Sequence, residues 1–449
     1  MQETAKTNIL ETEKVGRLLY RYALPSIISS LMVALYNVVD RIFIGHGVGA
    51  MAISGLALTF PLLNLLQAFG TLIGVGAATR MSIVLGMKDV RWAEKILGHS
   101  LMLTLAISGT VIVLSTIFIH PILQLFGGSE QTIPYAAEYL YYVIPGSIFT
   151  SLSFNHAGLM RSSGYPRKSM VVILIGAVLN MILDPVFIFV FDMGIQGAAI
   201  ATVLSMMVSA AFAMHHFFKP SSFIRYRKYA FNVERRIVRN IIAIGLSPFL
   251  LNAMSSIINV VMNQLLVTHG GDIAIGANGI ISGYGIVVVM IIFGLCQGMQ
   301  PVAGYNYGAR RLKRVKDVYK LTVKASSIVT VASFVLAMLM PRQMAMVFTN
   351  DPELLDISTS AIRISFMAFA VIGFQIVTGQ FFQAIGKVKN AIFLSLSRQA
   401  VFLLPALLLG AHLWGLTGVF VSLPASDFLA FVVSAWMIFR ELRRFSVES

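Results

Sequence analysis

The sequence predicts an all-α polytopic membrane protein, with twelve transmembrane helices in two pseudo-symmetric six-helix bundles. Three observations carry this. Hydrophobic residues make up 57% of the 449 and charged residues only 12%, against roughly 25% charged in soluble domains, and the mean hydropathy is +0.81. Apolar stretches of about 20 residues, enough to cross a bilayer, recur along the whole chain. The chain also repeats itself at a nearly constant interval.

Taken in order, the spans are expected at 18–44, 53–85, 94–119, 135–157, 169–191, 194–218, 239–267, 273–303, 316–340, 357–382, 390–410 and 413–439. Short loops join most of them. Two longer connections stand out, Phe118–Pro134 and the basic stretch Lys219–Arg239. An even number of spans puts both termini on one side. Nearly all the loop Lys and Arg fall on that side, as in the clusters Lys219 to Arg239 and Arg310 to Lys320, while the alternate loops hold only Arg342. The positive-inside rule then makes both termini cytoplasmic. The net charge of +15 reads as orientation and contact with anionic lipid, not as nucleic-acid binding.

The repeat is carried by small and special residues. Pro25 in ALPSIISSLM has a counterpart at Pro248 in GLSPFLLNAM, and Ala52 in AISGLALTFP at Ala274 in AIGANGIISG. Gly76 and Gly86 match Gly298 and Gly308, Gly164 matches Gly386, and Gly194 in GIQGAA matches Gly415 in GLTGVF. Each pair lies 221–223 residues apart. Six spans per half is an even number, so both halves enter the membrane from the same side, as a parallel repeat of the kind common in secondary transporters. The organisation expected is an N-terminal six-helix lobe over 1–218 carrying the cation site, a cytoplasmic basic linker at 219–239, and a C-terminal six-helix lobe over 240–449.

Several classes of function are excluded. The single cysteine, Cys296, cannot form an intramolecular disulfide. The N-terminal tail has no short apolar region ending at a small-residue cleavage site, so the first span is expected to insert uncleaved. There is no phosphate-cradling GxxxxGK[ST] loop, HExxH, CxxC or GxSxG, and the eight His do not cluster at metal spacing. No enzyme, organic cofactor or bound metal beyond a transported Na⁺ is expected.

The informative residues are acids inside spans: Asp40, Asp184 and Asp427. A charge at the centre of a bilayer helix costs about 2.5–3.5 kcal/mol on insertion scales, so such residues face protein or water and function is the default hypothesis. Asn180 and Asp184 are four apart and share one helix face; together they offer oxygens to a cation, or a carboxylate to a proton. Pro185 lacks an N–H and crowds the carbonyl of Met181, loosening the helix between them. The competing reading is a structural polar contact with a neighbouring hydroxyl. Asp40 in ALYNVVDRIFIG has Tyr36 one turn before it and Arg41 directly after, so an interfacial Asp40–Arg41 pair is the bland alternative. Asn263 aligns with Asp40, and Leu404 lies near the counterpart of Asp184, so the first half alone keeps the carboxylates. Asp427 either pairs with Arg398 or helps open the cytoplasmic side.

With ALPSIIS and YNVVDRIFIG, then GVGAATRMSIVLGMKD and LNMILDPVFIFVFDMGIQGAAIAT, the chain resembles the MATE family of multidrug and toxic compound extrusion transporters, in its DinF- and MepA-like bacterial branch. The resemblance covers roughly 16–440. It implies two bundles in a V around a large cavity, alternating access, and export driven by inward H⁺ or Na⁺. It further implies a first-half cation site of Asp40, Tyr139, Asn180, Asp184 and Thr202, with Tyr139 and Thr202 coming from the resemblance alone. Pro25 and Pro185 are the expected hinges. Tyr36, Asn37, Phe154, Asn155, Met290, Phe293 and Gln297 are the expected substrate walls.

The expectation is a secondary active multidrug antiporter in a prokaryotic inner membrane, contributing to antibiotic resistance. It would act as a monomer on drug-like amphipathic cations, with no partner beyond the bilayer. The alternative is a lipid or lipid-linked oligosaccharide flippase of the same superfamily, kept open by the embedded bases Arg80, Lys324, Arg363 and Arg398. A channel or purely structural membrane protein would have no need of carboxylates retained in one half.

Overall fold

The computed structural model describes residues 9–47, 50–126, 130 and 132–447. Among the described residues every regular element is helical. In chain order these are α1 (Val15–Gly47), α2 (Ala50–Gly86), α3 (Val90–Ile117), the short α4 (Ile119–Leu125), α5 (Ile133–Ser162) and α6 (Pro166–Pro185), which a π-helical turn, Val186–Val190, prolongs, then α7 (Gly194–Phe218). A single 3₁₀ turn, Lys228–Phe231, precedes α8 (Arg235–Gly308). The remainder is α9 (Leu312–Leu339), α10 (Pro341–Met346), α11 (Pro352–Ser365), α12 (Phe369–Ala384), α13 (Val388–Leu396), a π-helical segment Ser397–Leu403, and α14 (Leu404–Val447).

Each expected span has its helix. Eight described helices are long and apolar enough to cross a membrane, or nine with α11 and α12 taken as one span bent by 53°. Two of the eight are double: α8 breaks at Gly271, φ 62°, and α14 at Gly415, φ 55°. The remaining position is α5, thirty residues long, whose Glu138, Asn155 and His156 lower its hydropathy.

The duplication is visible in the backbone. Left-handed residues recur at the sequence offset: Lys88 (φ 60°) with Arg310 (φ 57°), Gly164 (97°) with Gly386 (73°), and Gly194 (55°) with Gly415 (55°). Helix-closing bonds recur with them. Asp89 N–H donates to Val84 O and Arg311 N–H to Asn306 O; Tyr165 N–H donates to Met160 O and Lys387 N–H to Phe382 O. These are six-to-one closures, which satisfy carbonyls that a helix C-terminus leaves open. The left-handed turn they require disfavours residues with a Cβ, which is why Gly is kept at 164 and 386.

The chain forms two compact units. The first is Met1–Glu13 with Ile28–Phe249, the second Lys14–Ile27 with Leu250–Ser449. Two helices therefore divide their length between units. α1 changes unit after Ile27 and α8 after Phe249, within two residues of the paired prolines Pro25 and Pro248. In the first unit the start of α8 lies on α2 so closely that a Cβ on Gly245 would stand 1.6 Å from Leu72 O, and one on Gly76 2.0 Å from Ile241 O. In the second unit a Cβ on Gly298 would stand 2.5 Å from Ala23 Cα. Gly298 is the repeat partner of Gly76, and Ala23 that of Gly245, so both units use the same backbone contact. Each glycine here is required by the close approach, since no side chain fits.

The connection from α7 to α8 is folded onto α3. Ala230 is fully buried, Glu234 N–H donates to His99 Nε2 at 2.8 Å, and Lys95 pairs with Glu234. Fully buried His156 of α5 bonds Leu152 O through Nδ1 at 2.7 Å, which leaves Nε2 to accept from the Tyr226 hydroxyl at 2.5 Å.

In the second unit an ion pair links the π-helical segment Ser397–Leu403 to α14. Arg398 Nε donates to Asp427 Oδ1 at 2.6 Å, with the Asp427 side chain 3% exposed and that of Arg398 29%. The neighbouring Gln399 donates to Ser255 Oγ at 2.8 Å. Of the two roles open to Asp427 in the sequence, pairing with Arg398 is the one seen. A buried carboxylate without its cation is costly, whereas replacing both partners by apolar groups is often neutral.

Two outcomes are expected. Gly245→Val should lower the thermal unfolding midpoint of detergent-purified protein, overpacking costing about 1–3 kcal/mol, while Gly109→Ala, which meets nothing within 4 Å and gains helix propensity, does not lower it. Arg398→Leu alone should destabilise by up to about 3 kcal/mol, and adding Asp427→Leu should restore most of the loss.

Candidate functional site

The polar residues of the first half's spans converge in the first unit, where α1, α5, α6 and α7 meet. Asn180 and Asp184, one turn apart on α6, are both fully buried. The Asn180 amide spends both its hydrogens, one on Asp184 Oδ1 at 3.0 Å and one on Thr202 Oγ1 at 3.2 Å. Tyr139 lies within hydrogen-bonding reach of Thr202. Asp40 of α1 lies within hydrogen-bonding reach of Asp184, and Tyr36 within electrostatic reach of both carboxylates.

Local sequence explains the convergence. Pro166 begins α6, where its missing N–H costs nothing. The phase set there turns Asn180 and Asp184 inward together with the buried Ile173, Gly176 and Ala177. α7 closes on α5 at a glycine: a Cβ on Gly146 would stand 2.3 Å from Val203 Cγ2. That approach brings Thr202, the residue before Val203, up to α5 two turns beyond Tyr139. The helix loosening expected at Met181 is found just beyond it. α6 runs through Pro185 and then widens into the π-helical turn, with Phe191 N–H donating to Val186 O. π-bulges of this kind frequently lie at functional sites. An apolar layer that includes Ile44, Leu56, Val143, Ile188 and Ile195 surrounds Tyr139.

Two acceptors in this network are buried and have no hydrogen-bond partner in the structure, Asp184 Oδ2 and Asn180 Oδ1. With the Asn180 hydrogens already used, its oxygen only accepts or coordinates. Two carboxylates facing each other repel unless a proton or cation stands between them. The arrangement has the chemistry of a site for H⁺ or a hard monovalent cation, built from carboxylate, amide and hydroxyl oxygens. Among the described residues no group of three His, Cys, Asp or Glu has metal-binding geometry.

All five residues expected for the cation site, Asp40, Tyr139, Asn180, Asp184 and Thr202, are thus brought together. Tyr36, expected in the substrate wall, lies beside them. The side chain of Arg41 lies outside the described residues. Sequence reading missed Glu138, which accepts from Gln196 one position before Tyr139; an acid inside a span was the available signal.

The other expected wall residues are dispersed. Asn37 is exposed and donates to Val33 O of its own helix at 2.8 Å. Phe154 is half-buried. Asn155 is 1% exposed and turned into the first unit, donating to Thr104 Oγ1 at 2.8 Å. In the second unit Met290, Phe293 and Gln297 are all half-buried and share one face of α8 at i, i+3, i+7 spacing.

Comparison with known proteins adds the family. The chain is similar to "Multidrug export protein MepA" of Staphylococcus aureus (strain MSSA476), 28% identical over 439 residues, covering 98% of this chain and 97% of that protein. Among solved structures it is similar to the outward-facing conformation of a multidrug resistance MATE family transporter of the MOP superfamily, with TM-score 0.92, 24% identity, and 97% and 98% of the two chains covered. A MOP superfamily transporter from Pyrococcus furiosus Vc1 (DSM3638), described as having a binding pocket of reverse polarity, matches with TM-score 0.92 at 24% identity over 98% of each chain. The profile of the MatE family matches residues 25–186 and 243–408, one stretch in each half of the duplication. The match takes in Asp40, Tyr139, Asn180 and Asp184, and with it the chain belongs to the MatE family of multi-pass membrane transporters, which are not enzymes.

Proposed function

We propose that the protein exports amphipathic organic cations from the cytoplasm in exchange for H⁺ or Na⁺, by alternating access, with the coupling ion held by Asp40, Tyr139, Asn180, Asp184 and Thr202. The observation that carries this is the fully buried Asp184 with half-buried Asp40 within hydrogen-bonding reach, and with Asp184 Oδ2 and Asn180 Oδ1 left over as acceptors. Such a site has different ion affinities in two conformations, and an ion drives a cycle only through that difference. The export activity in the name of the similar staphylococcal protein supports the direction of transport. The positive-inside pattern supports cytoplasmic termini.

Pro25 and Pro185 are the proposed hinges, the first at the unit change in α1 and the second at the π-helical turn. The N-terminal lobe, 1–218, does the coupling. The basic linker is 219–239, and the lobe 240–449 supplies substrate contacts. Tyr36, Asn37 and Phe154 on the first unit, and Met290, Phe293 and Gln297 on the second, are the proposed contacts. Flexible Met and aromatic surfaces repack around varied ligands. The flippase alternative draws on embedded bases, of which Arg80 keeps a buried Nε without a hydrogen-bond partner. Arg398 is paired with Asp427, the Arg80 guanidinium lies 4.8 Å over the Trp92 ring, and Lys324 and Arg363 are exposed.

Two measurements test this reading. In proteoliposomes an imposed pH gradient or Na⁺ gradient, applied separately, should drive ethidium efflux; the gradient that works names the ion, and failure of both with folded protein would sink the drug-export reading. Asp184→Asn should cut gradient-driven efflux by about tenfold or more, and Thr202→Val should weaken it less. Asp192→Asn, at an exposed position with φ 52° that Asn adopts readily, should leave efflux unchanged.

A further inference from the structure

The connection between α7 and α8 encloses a feature that ion coupling does not use. Where it folds back onto the start of α3 it leaves a cavity of about 460 Å³, lined by Arg91, Glu94, Ser222, Arg225, Arg227 and Tyr229 among others. That volume lies in the range of small-molecule sites. Its charge is unbalanced, three arginines against one glutamate.

The single acid is already engaged. Glu94 is 6% exposed, accepts from the Tyr229 hydroxyl, and has Arg227 Nε at 3.7 Å. Partial burial and that bond hold the Tyr229 phenol above its ordinary pKa, so it stays a donor to Glu94. Arg91 stacks on the Tyr229 ring, its guanidinium carbon 5.2 Å from the centroid, and a stacked guanidinium keeps its N–H edge for an anion. Arg225 donates from Nη1 to Pro220 O at 3.0 Å, which fixes the side chain while leaving most of its five donors. Arginine forks recognise phosphate by paired, charge-assisted hydrogen bonds. The segment around the cavity also exposes apolar groups, Phe218 at 60% and Val233 at 72%, as a chain lying at a membrane surface does.

We propose that this cavity binds a phosphate group, engaged by Arg91 and Arg225 and braced by the Glu94–Arg227–Tyr229 cluster. Basic pockets at the cytoplasmic side of membrane helices take lipid head groups, and a free phosphate offers the same chemistry. The ligand would fix the connection between the two halves where it leaves α7 and enters α8.

The test uses full-length protein in detergent. In one arm, native mass spectrometry counts phospholipid retained from mixed phosphatidylglycerol and phosphatidylcholine micelles. In the other, inorganic pyrophosphate is titrated while Trp92 fluorescence is followed in a Trp414→Phe/Trp436→Phe background. Arg91→Gln/Arg225→Gln should weaken binding about tenfold, and Arg225→Glu alone should weaken it as well. Their thermal unfolding midpoints, measured beside wild type, confirm that each variant is folded. Selective retention of phosphatidylglycerol that the variants lose identifies a head group. Saturable pyrophosphate quenching lost in the variants, with no lipid selectivity, identifies a free phosphate. Equal uptake of both probes by wild type and folded variants overturns the proposal.

Discussion

The first unit is organised around a fully buried carboxylate. Asp184 is fully buried on a helix whose other faces are apolar, where an unpaired polar group is costly. One of its oxygens is satisfied by Asn180 of the same helix, and that choice propagates. Asn180 must then place its second hydrogen, which it gives to Thr202; Gly146 lets α7 close on α5 beside it, with Tyr139 within reach. The apolar layer around Tyr139 keeps solvent away, and low dielectric strengthens each link. The remaining oxygen of Asp184 and the side-chain oxygen of Asn180 are buried acceptors that internal hydrogen bonding leaves unfinished.

The second half shows what the scaffold does without that demand. Left-handed residues, helix-closing bonds and glycine contacts recur 221–223 residues later, so the backbone solution is shared. The chemistry is not. Asn263 stands at the place of Asp40, and the embedded acid of the second half, Asp427, is neutralised by Arg398. One half therefore holds two neighbouring carboxylates, and the other an ion pair complete in itself.

Much of this was legible in the sequence because the membrane simplifies the code. Every backbone group in lipid must be satisfied within the helix, so apolar length alone locates the spans, and an acid such as Asp184 inside one is conspicuous. The repeat was legible because Gly164, Gly386, Gly194 and Gly415 hold conformations that few other residues accept. Tyr139 and Thr202 were a different matter: tyrosine and threonine are common in membrane helices, and only a family resemblance picked them out. The packing of Tyr226 on His156 and of Tyr229 on Glu94 was hidden for a further reason. These contacts join residues 70 and 135 positions apart, and no local periodicity records such a pairing. The breaks in α8 and α14 were marked by glycines, whereas the π-helical segment at Ser397–Leu403 carries no such sign.

The coupling reading depends finally on how α1 is built. The helix carries Asp40 and Tyr36 in the first unit, yet its Lys14–Ile27 portion belongs to the second, and Pro25 stands just before the change. Proline removes one intrahelical hydrogen bond and crowds the carbonyl a turn earlier. Ser26 covers a neighbouring carbonyl by donating to Tyr22 O at 2.9 Å, so the weakened turn is maintained without exposing more backbone. A helix anchored at both ends and weakened between them bends at that point when one end is pulled. On the proposed coupling, a cation between Asp40 and Asp184 would draw α1 toward α6, with the strain falling at the turn that Pro25 weakens. The same proline without the carboxylate would be a bend with nothing to drive it, and the carboxylates on a uniform helix would bind an ion without moving anything.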